Sequence, residues 1–190
     1  MNNVKPKLVT AESRKDFVAD VAVTTDLLQV LHKDHKNVQE MFFQFTQLED
    51  NRDKKKLVSQ IITELSIHAR AEEEIVYPAI RKAVDAEDLM DEADTEHHVV
   101  KFLLAELGEM SPADDHYDAK VTVLCELVKH HVDEEEKEIF EKIKMADLDL
   151  EKLGKKVIDR KEELAKKPLP VDKFPVTSSK TGARRKTKAS

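Results

Sequence analysis

Glycine and proline are scarce in this chain of 190 residues, which has three glycines and six prolines. The two together make up roughly 12% of an average protein, so turn-forming residues stand at less than half their usual density. Pro6, Pro168, Pro170 and Pro175 lie near the ends, leaving only Pro78 and Pro112 between residues 7 and 167. A sheet protein needs such residues at frequent turns, which excludes sandwiches, barrels and most α/β folds. Tryptophan is absent and aromatics are only 5%. A single cysteine, Cys125, excludes an internal disulfide framework. No run approaches the about 18 apolar residues of a membrane span, so no membrane association is expected. MNNVKPKLVT has no apolar stretch that would serve as a secretory leader, and a cytoplasmic location is the expectation.

What is abundant is charge, at 37% of residues, with a net of −7. Its distribution is uneven: residues 166–190 carry +7 and residues 1–165 carry −14. The basic segment KKPLPVDKFPVTSSKTGARRKTKAS has few apolar residues and cannot offset its ordering entropy by burial, so it reads as disordered. The acidic body reads as one all-α domain, large enough to bury a core without staples.

Four segments of the body keep an apolar stripe at alternating spacings of three and four, the mark of one helix face. The first runs through Leu28, Leu31, Val38, Phe42 and Phe45, with His35 in the gap. The second runs Leu57, Ile61, Leu65, His68, Glu72, Ile75 and Ala79, and the third Ala93, His97, Val100, Leu104 and Leu107. The fourth is Val121, Leu124, Val128, His131, Glu135 and Ile139. Asn51-Arg52-Asp53 and Val84-Asp85-Ala86 read as joints, and Gly108 followed by Ser111-Pro112 reads as a stop, an N-cap and an N1 proline. Pro78 should kink the second helix or end its regular part. Short connections imply an antiparallel up-down-up-down four-helix bundle. Residues 147–166, with Leu150, Leu153, Val157 and Leu164 on one side, read as an added helix weakened by Gly154. The resulting division is an N-terminal extension over 1–23, the bundle over 24–146, the added helix over 147–166 and the basic tail over 167–190.

Polar residues interrupt all four stripes. Burying a His or Glu costs several kcal/mol unless it is hydrogen-bonded, paired or metal-bound. One inward histidine is ordinarily a satisfied core residue; here every helix supplies one, and two add a glutamate four residues later. Residues at i and i+4 lie about 40° apart around a helix, so His68 with Glu72, and His131 with Glu135, project together. The helical wheel selects among neighbours: His35, His97 and His131 fall within roughly 60–80° of their stripes, His32 lies about 120° away, and His98 and His130 point nearly opposite. Four imidazoles and two carboxylates on one axis make a poor core and a good dinuclear metal site for Fe, Mn or Zn. In Glu72-Glu73-Glu74 and Glu134-Glu135-Glu136, one glutamate per run faces inward and the others read as solvated or paired with Lys or Arg. Cys125 reads as an inert core thiol rather than a redox sensor; Tyr77 and Tyr117 are within reach of the site, with packing as their expected place.

The runs HKDHKNVQEMF, ELSIHARAEEEIVYP, EHHVVKFLLAEL and LVKHHVDEEEKEIF resemble the four helices of the hemerythrin-like (HHE cation-binding) family over residues 24–146. The resemblance implies an antiparallel four-helix bundle around a non-haem di-iron centre that binds or reacts with O2. It implies His35, His68, His97 and His131 as terminal ligands of two Fe ions, with Glu72 and Glu135 as bridging carboxylates. The O2 carriers of the family have a His-x-x-x-His pair on the third helix, whereas Ala93 and Lys101 flank His97 here. Asp94 or a water is a candidate for that position, and the departure fits family members that sense or process O2, peroxide, nitric oxide or iron. Whether such a centre works as an oxidoreductase or peroxidase-like enzyme stays open. The ferritin-like Glu-x-x-His arrangement does not occur in the sequence. The rival reading is a metal-free helical interaction module whose tail, through residues 180–188 with Arg184, Arg185, Lys186 and Lys188, contacts nucleic acid or an acidic partner.

Overall fold

The structure is a computed structural model that describes residues 25–166. The expectations for the N-terminal extension and the basic tail lie outside the described residues. Within them the chain is helical. Helix α1 spans Leu27–Thr46, and α2 (Asn51–Ala71) passes through a π-helical turn, Glu72–Val76, into α3 (Tyr77–Ala83). Helix α4 spans Glu87–Glu109; α5 (Tyr117–Glu134) passes through a second π-helical turn, Glu135–Ile139, into α6 (Phe140–Met145). Helix α7 spans Leu150–Ala165. The four long rods are thus α1, α2–α3, α4 and α5–α6. Contacts of α1 with α2 and α5, and of α4 with α2 and α5, close the antiparallel four-helix ring. Helix α7 lies outside it, against α1, α2 and the first π-turn. No helix among the described residues is long and apolar enough to cross a membrane.

Local chemistry starts and stops these rods. Asp26, Asp50 and Asp149 are N-caps whose carboxylates accept hydrogen bonds from the backbone N–H of Gln29, Arg52 and Asp53, and Lys152 respectively. At the far end of α4 the Lys55 ammonium donates to the carbonyls of Gly108 at 3.0 Å and Met110 at 2.6 Å, satisfying groups that a helix terminus leaves open. The fourth rod begins later than Ser111-Pro112 suggests. Residues 111–116 close on themselves, the Ser111 N–H donating to the Asp114 carboxylate at 2.6 Å, and α5 starts only after His116, whose φ of 68° is left-handed.

Pro78 does not end the second rod. It sits in the first turn of α3, just past the π-turn, where its missing N–H costs little. The π-turn displaces the apolar register by one residue. Ile75 and Ala79, expected on the stripe, are only partly buried, while Val76 and Ile80 are buried in their place.

Among the described residues the interior has two apolar clusters. One contains Val38, Phe42, Leu65, Val100, Leu104, Leu124 and Val128. The other contains Leu27, Leu31, Val76, Tyr77, Ile80, Ala93, Ile139 and Phe140. On every rod the polar interruption falls between a residue of one cluster and a residue of the other. The buried polar residues therefore form a layer across the middle of the bundle.

Candidate metal centre

Among the described residues, the buried polar or charged side chains are His35, His68, Glu72, His97, His131 and Glu135. Both glutamates are 0% exposed. These are the six positions where the sequence breaks its apolar stripes. Donor atoms of His35, His68, Glu72 and Glu135 lie within 4.8 Å of one another, as do those of Glu72, His97 and His131. Glu72 belongs to both groups. His35 Nε2 is 3.1 Å from Glu135 Oε2, and His68 Nε2 and His97 Nε2 are 3.2 and 3.4 Å from Glu72 Oε2. The last of the four imidazoles meets His97, with 3.1 Å between His97 Nε2 and His131 Nε2.

Each imidazole is held from outside by a carboxylate on its Nδ1. Glu136 holds His35 at 2.8 Å, Asp34 holds His68 at 3.2 Å, Glu73 holds His97 at 3.1 Å and Glu96 holds His131 at 2.7 Å. An ionised carboxylate only accepts, so each Nδ1 carries a proton and Nε2 is the nitrogen turned inward. This is the outer arrangement typical of metal-bound histidines, fixing both ring and tautomer. Of these carboxylates Asp34 also takes Lys161 from α7, and Glu73 takes Lys101 at 2.5 Å. The sequence reading assigned Glu73 and Glu136 to solvent or to cationic partners; Glu73 has one, and both also steady a histidine.

The inward atoms fit a cation. Among the described residues, His35 Nε2, His68 Nε2 and both carboxylate oxygens of Glu72 and Glu135 are buried with no well-aligned hydrogen bond, facing one another and His97. Leaving such groups unpaired costs about 1–3 kcal/mol each, more when charged, and metal ions would satisfy all of them at once. The electrostatics point the same way. Burial, and then the nearby charge of Glu135, pushes Glu72 well above the carboxylate range. Burial also opposes ionisation of Glu135, but contact with His35 holds it down at about 2. Burial lowers His68 to about 4. For His35 burial is outweighed by Glu135 and Glu136, and its pKa is raised.

Two expectations are corrected. Asp94 turns away from the layer and joins Glu87 and Asp91 around Arg81, 2.8 Å from its guanidinium, so it does not stand in for a third-helix histidine. Tyr77 does more than pack: its hydroxyl lies 3.3 Å from His97 Nε2, and its ring stacks on that imidazole. Because the π-turn brings residue 77 onto the inner face, a uniform helical wheel misses it. Tyr117 stays in the first apolar cluster, as expected of a packing residue. Cys125 is partly buried against the same cluster, with burial raising its thiol pKa. His98, His116 and His130 are exposed.

A cavity of about 30 Å³ lies against all four histidines, walled by Val38, Leu65, Val100, Val128 and Val132. It has room for about two water-sized molecules. Of the apolar residues on the four stripes, Leu31, Phe42, Ile75 and Leu104 do not line it; valines supply most of the wall.

The Hemerythrin HHE cation binding domain family matches residues 26–143 of the chain. A protein of Nostoc sp. named DNA nickase is 30% identical over 122 residues, 63% of this chain and 34% of the relative. An uncharacterized hemerythrin-like protein of Schizosaccharomyces pombe is 26% identical over 114 residues, 59% of this chain and 56% of the relative. The chain thus spans about a third and just over half of these two relatives. Among solved structures, the hemerythrin HHE cation binding domain-containing protein of Mycobacterium kansasii, an Rv2633c homolog, matches with a TM-score of 0.62 and 26% identity, covering 72% of this chain and 85% of that one. With a bundle of the right topology, a buried layer of histidines and carboxylates that could hold metal ions, and a match over most of its length, the chain belongs to the hemerythrin HHE cation-binding family.

Proposed function

We propose that the chain is a non-haem di-iron protein whose centre reacts with O2 or with a related small molecule, peroxide or nitric oxide. His35 and His68 would hold one ion and His97 and His131 the other, with Glu72 and Glu135 bridging; Mn or Zn would suit the same donors. The observation that carries this reading is the sharing of Glu72 between two groups of donors whose buried carboxylates have no well-aligned hydrogen bond among the described residues. Two ferrous ions held by these residues would supply the electrons that an oxidant takes up. The protein supplies neutral imidazoles fixed from outside by Asp34, Glu73, Glu96 and Glu136, and two carboxylates that offset part of the ionic charge. The valine-walled cavity beside the histidines admits a diatomic or peroxide-sized ligand and keeps bulk water from the centre.

Metal analysis after anaerobic reconstitution tests the reading. About two Fe per chain, lost when His68 or His131 becomes Ala, upholds it, and none overturns it in favour of the metal-free interaction module. Stopped-flow mixing of the ferrous protein with O2, H2O2 or nitric oxide then tests reactivity. No absorption change with any of them removes the functional half of the proposal.

A second reading is favoured by the name of the Nostoc relative. The basic residues 180–188, outside the described structure, would contact nucleic acid through phosphate neutralisation. Salt-dependent retention on DNA that disappears after truncation at Lys166 supports it, and retention that is absent or unchanged by truncation rules it out.

A further inference from the structure

We propose that Glu96, His130 and Glu134 form a separate surface site for a divalent cation, and that it passes cations to the buried layer along the cleft beside Glu135. The second half rests on the di-metal reading above; the surface site does not.

His130 and Glu134 repeat, one residue earlier, the spacing of His131 and Glu135, so one rod carries an inner and an outer His-x-x-x-Glu pair. Residues at i and i+4 are neighbours on a helix surface, and His130 Nε2 lies 3.3 Å from Glu134 Oε1. Glu96 of α4 completes the group, its Oε1 3.5 Å from the same nitrogen. One donor atom from each of the three falls within 4.8 Å of the others. One imidazole with two carboxylates suits Zn, Mn or ferrous iron. His130 is 59% exposed, so a hydrated ion reaches it directly.

A second observation ties this group to the interior. Glu134 and Glu96 line a narrow cleft, about 10 Å³, that also touches His131 and Glu135. Glu135 is fully buried, with Oε2 3.1 Å from His35 Nε2 and Oε1 without a hydrogen-bond partner among the described residues, so a buried carboxylate with an open oxygen lies at the inner end. With Glu92 at the outer side, four carboxylates and, among the described residues, no Lys or Arg line the passage. Glu96 connects both ends: its Oε2 holds His131 Nδ1 at 2.7 Å while its Oε1 faces His130. Such a cleft focuses negative potential and concentrates cations at its mouth. The cleft holds about one water-sized sphere, so an ion must shed most of its hydration to pass. The three surface donors offer replacement ligands at that point.

Zinc titration of the metal-free full-length chain, by calorimetry and by stopped-flow loading, tests both halves. The variants are His130→Ala and Glu134→Gln at the surface and Glu72→Gln in the interior, with circular dichroism as the check on folding. The wild type should bind a weaker equivalent beyond the tight interior ions. Both surface variants should lose it and Glu72→Gln should keep it. Loading of the interior should slow about tenfold in the surface variants, the low end of the gain from electrostatic focusing, with final tight content unchanged. A weaker equivalent that survives His130→Ala overturns the surface site, and an unchanged loading rate overturns the transfer. A wild type without tight ions overturns the di-metal reading instead, while loss of the weaker equivalent in the surface variants would still uphold this site.

Discussion

Glu72 and Glu73 are consecutive residues, yet Glu72 presents its carboxylate to the inner face of the His97 imidazole and Glu73 grips the same ring from outside. The distances are 3.4 Å from Glu72 Oε2 to Nε2 and 3.1 Å from Glu73 Oε1 to Nδ1. The π-helical turn that starts at Glu72 accommodates this pair. The second π-turn repeats the arrangement, with Glu135 3.1 Å from His35 Nε2 and Glu136 2.8 Å from His35 Nδ1. Single π-turns inside α-helices often mark functional sites. Here each one lets two neighbouring glutamates clasp a histidine of another rod.

The three glutamates of the first run should therefore behave differently. Glu72→Gln should abolish binding of both ions, because Glu72 is common to the two donor groups. Glu73→Gln should weaken binding by roughly 10–100-fold, the usual cost of losing an outer partner of a metal ligand. Glu74 faces Arg70 and Arg160 outside the layer, so Glu74→Gln should leave metal content intact and cost at most about 1 kcal/mol as an exposed ion pair. Metal content and chelator competition on the three variants check the order, and equal losses in all three would contradict it.

Metal-free Glu72→Gln should be nearly as stable as the metal-free wild type, because burial and Glu135 already keep the Glu72 carboxyl in its neutral form. The stabilisation by metal should vanish in the variant. A ligand at a thousand times its Kd adds about 4 kcal/mol to the native state. Thermal melts with and without metal give both quantities, and a variant that still gains stability on metal addition would refute the assignment.

The buried polar layer was legible in the sequence because burial of a polar residue needs a reason, and periodicity alone locates where burial occurs. Leu31, His35 and Val38 cannot share a helix face without His35 being inside. What was not legible depended on either a break in the period or a neighbour on another rod. Val76, Tyr77 and Ile80 replaced the expected Ile75 and Ala79 because a 3.6-residue wheel carries no π-turn. Glu96 and Asp34 look like ordinary surface acids until α5 and α2 bring His131 and His68 against them. Ser111-Pro112 has the local form of a helix start, but the Asp114 side chain draws residues 111–116 into a turn of their own.

Metal binding should release protons and strengthen as pH rises. Metal ions need Glu72 ionised and His35 neutral, whereas in the metal-free protein burial and Glu135 raise the pKa of Glu72, and Glu135 with Glu136 raise that of His35. Both groups give up protons when ions enter, so acidification opposes binding and affinity falls as pH drops. Calorimetry in two buffers of different ionisation enthalpy reads the protons directly. A binding heat that is independent of buffer would contradict the release.

Gly108 and Gly154 should respond to alanine with opposite signs. A helical glycine is ordinarily about 1 kcal/mol worse than alanine. Gly108 lies in the last turn of α4 with nothing within 4 Å of an added Cβ, so Gly108→Ala should stabilise by up to that amount. Gly154 lies inside α7 where the chain leading into α1 crosses it. An added Cβ would overlap the Thr25 carbonyl oxygen and sit 2.8 Å from the Leu27 backbone nitrogen. Backbone atoms there cannot swing aside as a side-chain tip could, so α7 must move off α1. Overpacking of this kind costs about 1–3 kcal/mol, and at this chain length each kcal/mol shifts Tm by about 2–4 °C. Because Lys161 of α7 reaches Asp34, which holds His68, displacement of α7 should also weaken metal retention. Paired melts and metal analysis of Gly108→Ala and Gly154→Ala test this, and a Gly154→Ala chain as stable as the wild type would show that α7 does not need the close approach.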